Sequence, residues 1–204
     1  MTYEKQHSCI LLCGGQSRRM GKDKGSMIIQ GKPMINHILS TLNNEISEVI
    51  IVLNNKERID KYKEFIKKEN YSYTITFVED EIKNIGPMSG ILTGLKAITQ
   101  DYGLVLPCDS PYITKNLINT LFNEIDEKYQ AIVPYHSEEN KLKTSEPLHS
   151  IYNKNIVPKI NELIKYDVLH IKGLIEKIDA KFVLIDEKKL LKKEFKNLNQ
   201  PTDI

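Results

Sequence analysis

Glycines and cations crowd one stretch of this chain. Leu12, Cys13, Gly14, Gly15, Gln16, Ser17, Arg18, Arg19, Met20, Gly21, Lys22, Asp23, Lys24 and Gly25 follow directly on a short apolar run. Glycines let backbone N–H groups approach a phosphate with no Cβ in the way, and Arg19 and Lys24 bring the charge that a nucleoside triphosphate tail requires. Arg18 and Arg19 lie in this stretch, and of the arginines in this lysine-dominated chain only Arg58 lies elsewhere. A guanidinium offers phosphate a fixed fork of donors where lysine offers a point charge. The stretch is not a P-loop, because Asp23 stands where G-x-x-x-x-G-K-[ST] requires Ser or Thr, and Gly15 and Gly21 are one residue too far apart. The dinucleotide pattern G-x-G-x-x-G is also absent. A phosphate cradle and a plain surface turn are the two readings of such a loop, and its length favours the cradle.

Asp109 is the second candidate, held between Pro107 and Pro111 just past an apolar run that ends at Leu106. A carboxylate there is placed to bind Mg²⁺, which keeps several waters and takes few protein ligands, or to cap a helix starting near Thr114. Gly86, Pro87, Met88, Ser89 and Gly90 precede a helix-like run over 91–98. Their backbone either approaches a base or ribose or forms a tight strand-to-helix turn. His37 falls within a helical pattern, whereas His136 and His149 flank a polar stretch without metal-like spacing, and a structural role is expected for His149.

These residues need a scaffold, and the apolar periodicity supplies one. Residues 9–12, 49–53, 74–78 and 103–106 read as buried strands, with amphipathic helices over 34–42, 58–68 and 114–125 between them. The lysines and glutamates of 58–68 read as a solvated face. Strand and helix alternate, which predicts an α/β fold: three layers, α/β/α, around a mostly parallel central sheet. Beyond Asp126 the pattern is mixed, with short strands at 131–134 and 148–152 around an exposed loop at 136–146. Helices follow at 156–164 and 171–178, then a strand at 181–185 and a polar tail. No repeat or linker interrupts the chain, so one domain over 1–204 is expected.

Composition narrows the partners. The 204 residues carry 29 Lys+Arg against 27 Asp+Glu, a net charge of +2, so no basic arm for nucleic acid is expected. No apolar run approaches the roughly 18 to 20 residues of a spanning helix. The apolar stretch at 9–13 is too short for a signal-peptide core. The expectation is a cytoplasmic protein without membrane attachment. Cys9, Cys13 and Cys108 are an odd set without C-x-x-C spacing, which argues against a disulfide framework or a zinc site.

Residues 12–24 resemble the signature L-x-G-G-x-S-x-R-M-G-x-D-K of the molybdenum-cofactor guanylyltransferase family, within the wider nucleotidyltransferase-like α/β superfamily. Further matches follow in the family's order: Gly86-Pro87-Met88-Ser89-Gly90 for G-P-L-x-G, Pro107-Cys108-Asp109-Ser110-Pro111 for P-C-D-x-P, and Asn197-Leu198-Asn199-Gln200-Pro201 for N-x-N-x-P. The resemblance spans nearly the whole chain. It implies a Rossmann-like fold of the nucleotide-diphospho-sugar transferase kind and transfer of GMP from GTP to molybdenum-bearing molybdopterin, with Mg²⁺ as cofactor. By the same resemblance Arg19, Lys24 and Asp109 are catalytic, and Asp109 holds the metal. Leu12, Cys13, Gly14, Gly15, Lys24, Asn54, Asp80 and Asp109 bind GTP, with Asn55 an alternative to Asn54 for the family's asparagine. Asn197 and Asn199 lie near the pterin substrate. Cys13 departs from the family's usual alanine, a small-for-small exchange.

The resemblance implies GTP and molybdopterin as partners, a molybdenum insertase and acceptor molybdoenzymes beside them, and a monomer. Gly14-Gly15 and Cys108-Asp109-Ser110-Pro111 stand where the related cytidylyltransferases have A-A-G and D-Q-P, which favours guanine. Asp80 can accept from guanine's N1–H and N2–H₂, whereas adenine has an acceptor at N1. The alternatives are that cytidylyltransferase activity, a sugar-phosphate nucleotidyltransferase, and a catalytically silent nucleotide-binding module.

Overall fold

The computed structural model describes residues 7–14, 23–67, 69–185, 195 and 198. The first strand among the described residues is β1 (Ser8–Leu12), buried along its whole length. Its alternating side chains feed two cores: Cys9 and Leu11 face one, Ile10 and Leu12 the other. A small antiparallel hairpin, β2 (Ile28–Ile29) and β3 (Lys32–Pro33), leads into helix α1 (Met34–Leu42). There follow β4 (Glu48–Leu53), α2 (Lys56–Ile66), β5 (Thr74–Glu79), α3 (Pro87–Ala97), β6 (Tyr102–Pro107) and α4 (Lys115–Asn123). The last part contains β7 (Ala131–Tyr135), β8 (Ile151–Asn153), α5 (Val157–Lys165), α6 (Ile171–Ile175) and β9 (Ala180–Leu184).

Seven strands form the central sheet in the order β5-β4-β1-β6-β8-β7-β9. All neighbouring pairs are parallel except the two made by β8, which runs antiparallel to both β6 and β7. Helices α1, α2 and α4 bury Ile35, Ile38, Tyr62, Leu117 and Leu121 in the core on one face. On the other face α3, α5 and α6 contribute Met88, Ile91, Ile160 and Leu174. This is the expected three-layer α/β arrangement, and a parallel sheet requires both faces to be covered in this way. Among the described residues, no helix is long and apolar enough to cross a membrane.

The structure refines the sequence expectations at three places. Helix α2 starts at Lys56, not Arg58, because the Asn55 side chain accepts the Arg58 N–H at 2.9 Å as an N-cap. Both readings of residues 86–90 find support: Gly86 turns the chain into α3 at φ 81° with Pro87 as the first helical residue, and Gly86, Pro87 and Gly90 line the large cavity. The strand expected over 148–152 begins only at Ile151, since Pro147–His149 form a 3₁₀ turn. Pro147, which has no N–H for a strand ladder, opens that turn.

Candidate active site

In sheet order β1 lies between β4 and β6, so the chain moves outward from β1 through β4 to β5 and then crosses to β6 on the other side. Open α/β sheets bind ligands at such a switch point, beyond the carboxyl ends of the strands. A cavity of about 640 Å³ occupies that position. Its floor is tied together by the Cys13 N–H donating to the Val52 carbonyl at 2.9 Å and the Cys108 N–H donating to the Leu12 carbonyl at 3.2 Å.

Leu12, Cys13, Gly14, Lys24, Asn54, Asp80 and Asp109 all line this one cavity, although they come from four separate stretches of sequence. Lys24 Nζ donates to Asp109 Oδ2 at 2.8 Å, and both groups remain partly open to solvent. Asp109 is not the cap of α4; Thr114 takes that role, accepting the Leu117 N–H at 3.2 Å. Of the two candidate asparagines, Asn54 lines the cavity, whereas the Asn55 side chain caps α2. A Cβ at position 14 would lie 2.3 Å from Asn54 Oδ1, so only glycine lets that amide press against the loop backbone. Asp80 is anchored by its own N–H to the Leu53 carbonyl at 2.8 Å. The hydroxyls of Ser89 and Thr93, both on α3, donate to its Oδ1. Those hydrogen bonds fix the carboxyl while Asp80 still contributes to the cavity wall.

Gly15, Arg19, Asn197 and Asn199 lie outside the described residues. Leu198 is described: it is fully buried against Ile29 and Met34, and its N–H donates to the Asp109 carbonyl at 2.9 Å. The sequence between Asn197 and Asn199 therefore touches the backbone of the cavity's carboxylate.

Sequence reasoning missed Arg58. It opens the stretch whose lysines and glutamates read as a solvated face, yet its guanidinium lines the cavity and grips Asp23, with Nε 3.0 Å from Oδ2 and Nη2 2.9 Å from Oδ1. Tyr62, one turn further along α2, donates to the same Asp23 Oδ1 at 2.6 Å. Burial works against the charge on Arg58, but Asp23 beside it holds the pKa above the ordinary arginine value. The usable signal was the i, i+4 spacing of the chain's stray arginine and a tyrosine. The Cys13 thiol is pushed up by burial and by its hydrogen-bonded neighbour Cys108, so it is an inert packing group. Cys9, Cys13 and Cys108 are all unpaired and buried.

No group of three or more His, Cys, Asp or Glu suited to a metal occurs among the described residues. The Asp109 carboxylate fits Mg²⁺ nonetheless, because that ion binds through one or two carboxylates together with substrate phosphates and waters.

A doubly wound sheet with a glycine-bordered, lysine- and aspartate-bearing cavity at its switch point defines an α/β nucleotide-binding domain of the nucleotidyltransferase kind. Comparison with known proteins narrows the class. Residues 9–180 match the MobA-like NTP transferase domain. The molybdenum cofactor guanylyltransferase of Aliivibrio fischeri is 31% identical over 100% of this chain and 96% of its own length. The probable molybdenum cofactor guanylyltransferase of Methanothermobacter thermautotrophicus is 29% identical, covering 97% of this chain and 96% of its own. Among solved structures, the molybdopterin-guanine dinucleotide biosynthesis protein A of Archaeoglobus fulgidus superposes with a TM-score of 0.75 at 21% identity, covering 96% of this chain and 94% of that one. The chain belongs to the MobA-like NTP transferase family.

Proposed function

We propose that this protein transfers GMP from GTP to the phosphate of molybdenum-bearing molybdopterin, releasing pyrophosphate and forming the guanine dinucleotide of the cofactor. The observation that carries the reading is the Lys24–Asp109 pair, 2.8 Å apart in the cavity at the switch point. In this reaction an oxygen of the acceptor phosphate forms a bond to the α-phosphorus of GTP while the bond from that phosphorus to the bridging oxygen breaks. The acceptor is already anionic, so no strong base is needed, and catalysis comes from alignment and charge neutralisation.

Lys24 exchanges its Asp109 partner for the triphosphate, and Arg19 adds charge from the glycine-rich loop. Leu12, Cys13, Gly14 and Gly15 present backbone to the nucleotide, with Asn54 against Gly14. Asp109 would hold Mg²⁺, which supplies charge neutralisation around the phosphates when bound. Asp80 reads guanine through its N1–H and N2–H₂ donors, and Asn197 and Asn199 meet the pterin. The three unpaired cysteines suit a reducing compartment, and we place the enzyme in the cytoplasm as a single-domain monomer over 1–204.

Initial rates of nucleotidyl transfer to molybdopterin with equal low concentrations of GTP, CTP and ATP test the reading. GTP should lead in kcat/KM, and Asp80→Ala should narrow that lead. A CTP preference would assign the chain to the cytidylyltransferase activity, and no pyrophosphate release with any nucleotide would mark a silent binding module.

A further inference from the structure

Asp80 lines the nucleotide cavity from the loop between β5 and α3, and its carboxyl is not free to turn. The hydroxyls of Ser89 and Thr93, one helical turn apart on α3, both donate to the same oxygen, Oδ1, the second of them at 3.2 Å. Among the described residues every hydrogen bond to this carboxyl ends on Oδ1, so Oδ2 is the oxygen left for a ligand. Both hydroxyls are shut away from water, with Ser89 1% and Thr93 5% exposed. Each also holds the loop itself: Ser89 Oγ lies 2.5 Å from the Ile82 carbonyl, and Thr93 Oγ1 accepts the Glu81 N–H at 3.1 Å. The helix behind them has little room to yield, since a Cβ on Gly90 would lie 2.9 Å from Leu12 Cδ2. The turn into α3 does not need these hydroxyls. Gly86 and Pro87 already make it, and the Asp80 N–H on the Leu53 carbonyl already seats the backbone.

What the hydroxyls add is a fixed carboxyl, and a fixed carboxyl matters for choosing between bases. Facing guanine it meets the N1–H and N2–H₂ donors, whereas facing adenine it meets the lone pair of N1. A carboxylate able to swing aside would take a water in place of adenine, and the mismatch would cost little. One held by two buried hydroxyls must face the wrong base unpaired, and that unpaired polar group is what makes discrimination large. We propose that Ser89 and Thr93 are positioning residues that set the choice of nucleobase, acting through the Asp80 carboxyl. The assignment rests on the reading of Asp80 as the base contact. It adds that freeing the carboxyl helps the wrong nucleotide instead of only harming the right one.

The test compares kcat/KM for GTP and for ATP in nucleotidyl transfer to molybdopterin, together with binding titrations of the fluorescent N-methylanthraniloyl derivatives of both nucleotides. The proteins are the wild type, Asp80→Ala, Thr93→Ser and the double variant Ser89→Ala with Thr93→Val, in which valine keeps threonine's shape without its hydroxyl. The double variant should lower the GTP:ATP ratio at least about tenfold, with the ATP value itself rising. Thr93→Ser, which retains a hydroxyl, should keep the wild-type ratio. A mere loosening of the fold lowers both values together and leaves the ratio in place. That outcome in the double variant, or a wild type without preference for GTP, overturns the proposal. If Asp80→Ala narrows the ratio and the double variant does not, the positioning role falls while Asp80 stands as the base contact. If Asp80→Ala leaves the ratio unchanged, the base contact falls and the proposal with it. Should no nucleotide be transferred, the transferase reading falls, and the ratio of the two binding constants decides the positioning role by the same criteria.

Discussion

Asp109 and Lys24 answer each other in the described structure, and this pairing shapes what single substitutions do. The pair is a part-exposed, charge-assisted contact, and under the proposed reading each member would exchange it for the triphosphate or its cation. Asp109→Asn keeps the side-chain volume and the hydrogen bond to Leu198, which uses the Asp109 backbone carbonyl, so the fold should persist. Turnover should fall by at least about 100-fold, the usual consequence of removing a charge that stabilises a transition state. Near-normal GMP transfer at saturating Mg²⁺ would exclude the assigned role. Arg58 acts differently, since it works through Asp23, the residue before Lys24. Arg58→Met takes away two charge-assisted hydrogen bonds worth roughly 1.5–3 kcal/mol each to a charged group. Most of that loss falls on the fold of the loop, and KM for GTP should rise about tenfold because Lys24, next to Asp23, is no longer held in place, with kcat less affected. An unchanged KM would make the Asp23 cluster merely structural.

At the scale of elements, α3 is pinned to the sheet by close contact. A Cβ on Gly94 would lie 2.3 Å from Ile10 Cγ2, and Ile10 is a fully buried residue of the central strand. Alanine in place of glycine inside a helix ordinarily stabilises by roughly 0.5–1 kcal/mol. Here overpacking of the core, about 1–3 kcal/mol, has the opposite sign and is larger. Gly94→Ala should therefore lower stability in urea unfolding, and because α3 carries the Ser89 and Thr93 hydroxyls that fix Asp80, it should also weaken GTP binding. A stabilised Gly94→Ala protein would show that α3 can slide on β1 without cost. Helix α2 has the same intimacy with the loop: Tyr62 is fully buried, and a Cβ on Gly25 would meet its hydroxyl at 2.2 Å.

For the whole molecule, the buried imidazole of His149 sets a pH dependence. Burial, with His136 adding to it, lowers its pKa from the ordinary 6.5 to about 3, while Glu146 faces the ring at 3.9 Å and Phe195 packs on it. The unfolded chain takes up this proton near pH 6.5 and the folded chain does not, so stability falls as pH drops from there toward 3. The slope contributed by this one group is about 1.4 kcal/mol per pH unit. His149→Leu should flatten the loss between pH 6 and 5 by about that amount in urea unfolding. Parallel curves for the two proteins would mean that the ring is protonated in the fold.

The alternation of buried strands and amphipathic helices was legible in the sequence because it depends on local periodicity, and so were the glycine-rich loop and Asp109. Residue type and spacing point to Lys24 and Asp109, and the family resemblance adds Leu12, Gly14 and Asp80. Tertiary structure decided the remainder, since long-range pairing, not local pattern, selects neighbours. Only the sheet order puts β1 beside β6 and so brings Lys24 within 2.8 Å of Asp109, 85 positions away. Only the packing of α2 turns Arg58 from an apparently solvated cation into the grip on Asp23. The same holds for Asn54 over Asn55, where capping consumed one amide and left the other to the cavity. Glu146 and His149, one in a polar stretch and one expected to be structural, share a cavity wall because the turn over Pro147–His149 sets the His149 ring against Phe195. Contacts of that kind are set by desolvation and shape across the whole fold, and a linear pattern carries no record of them.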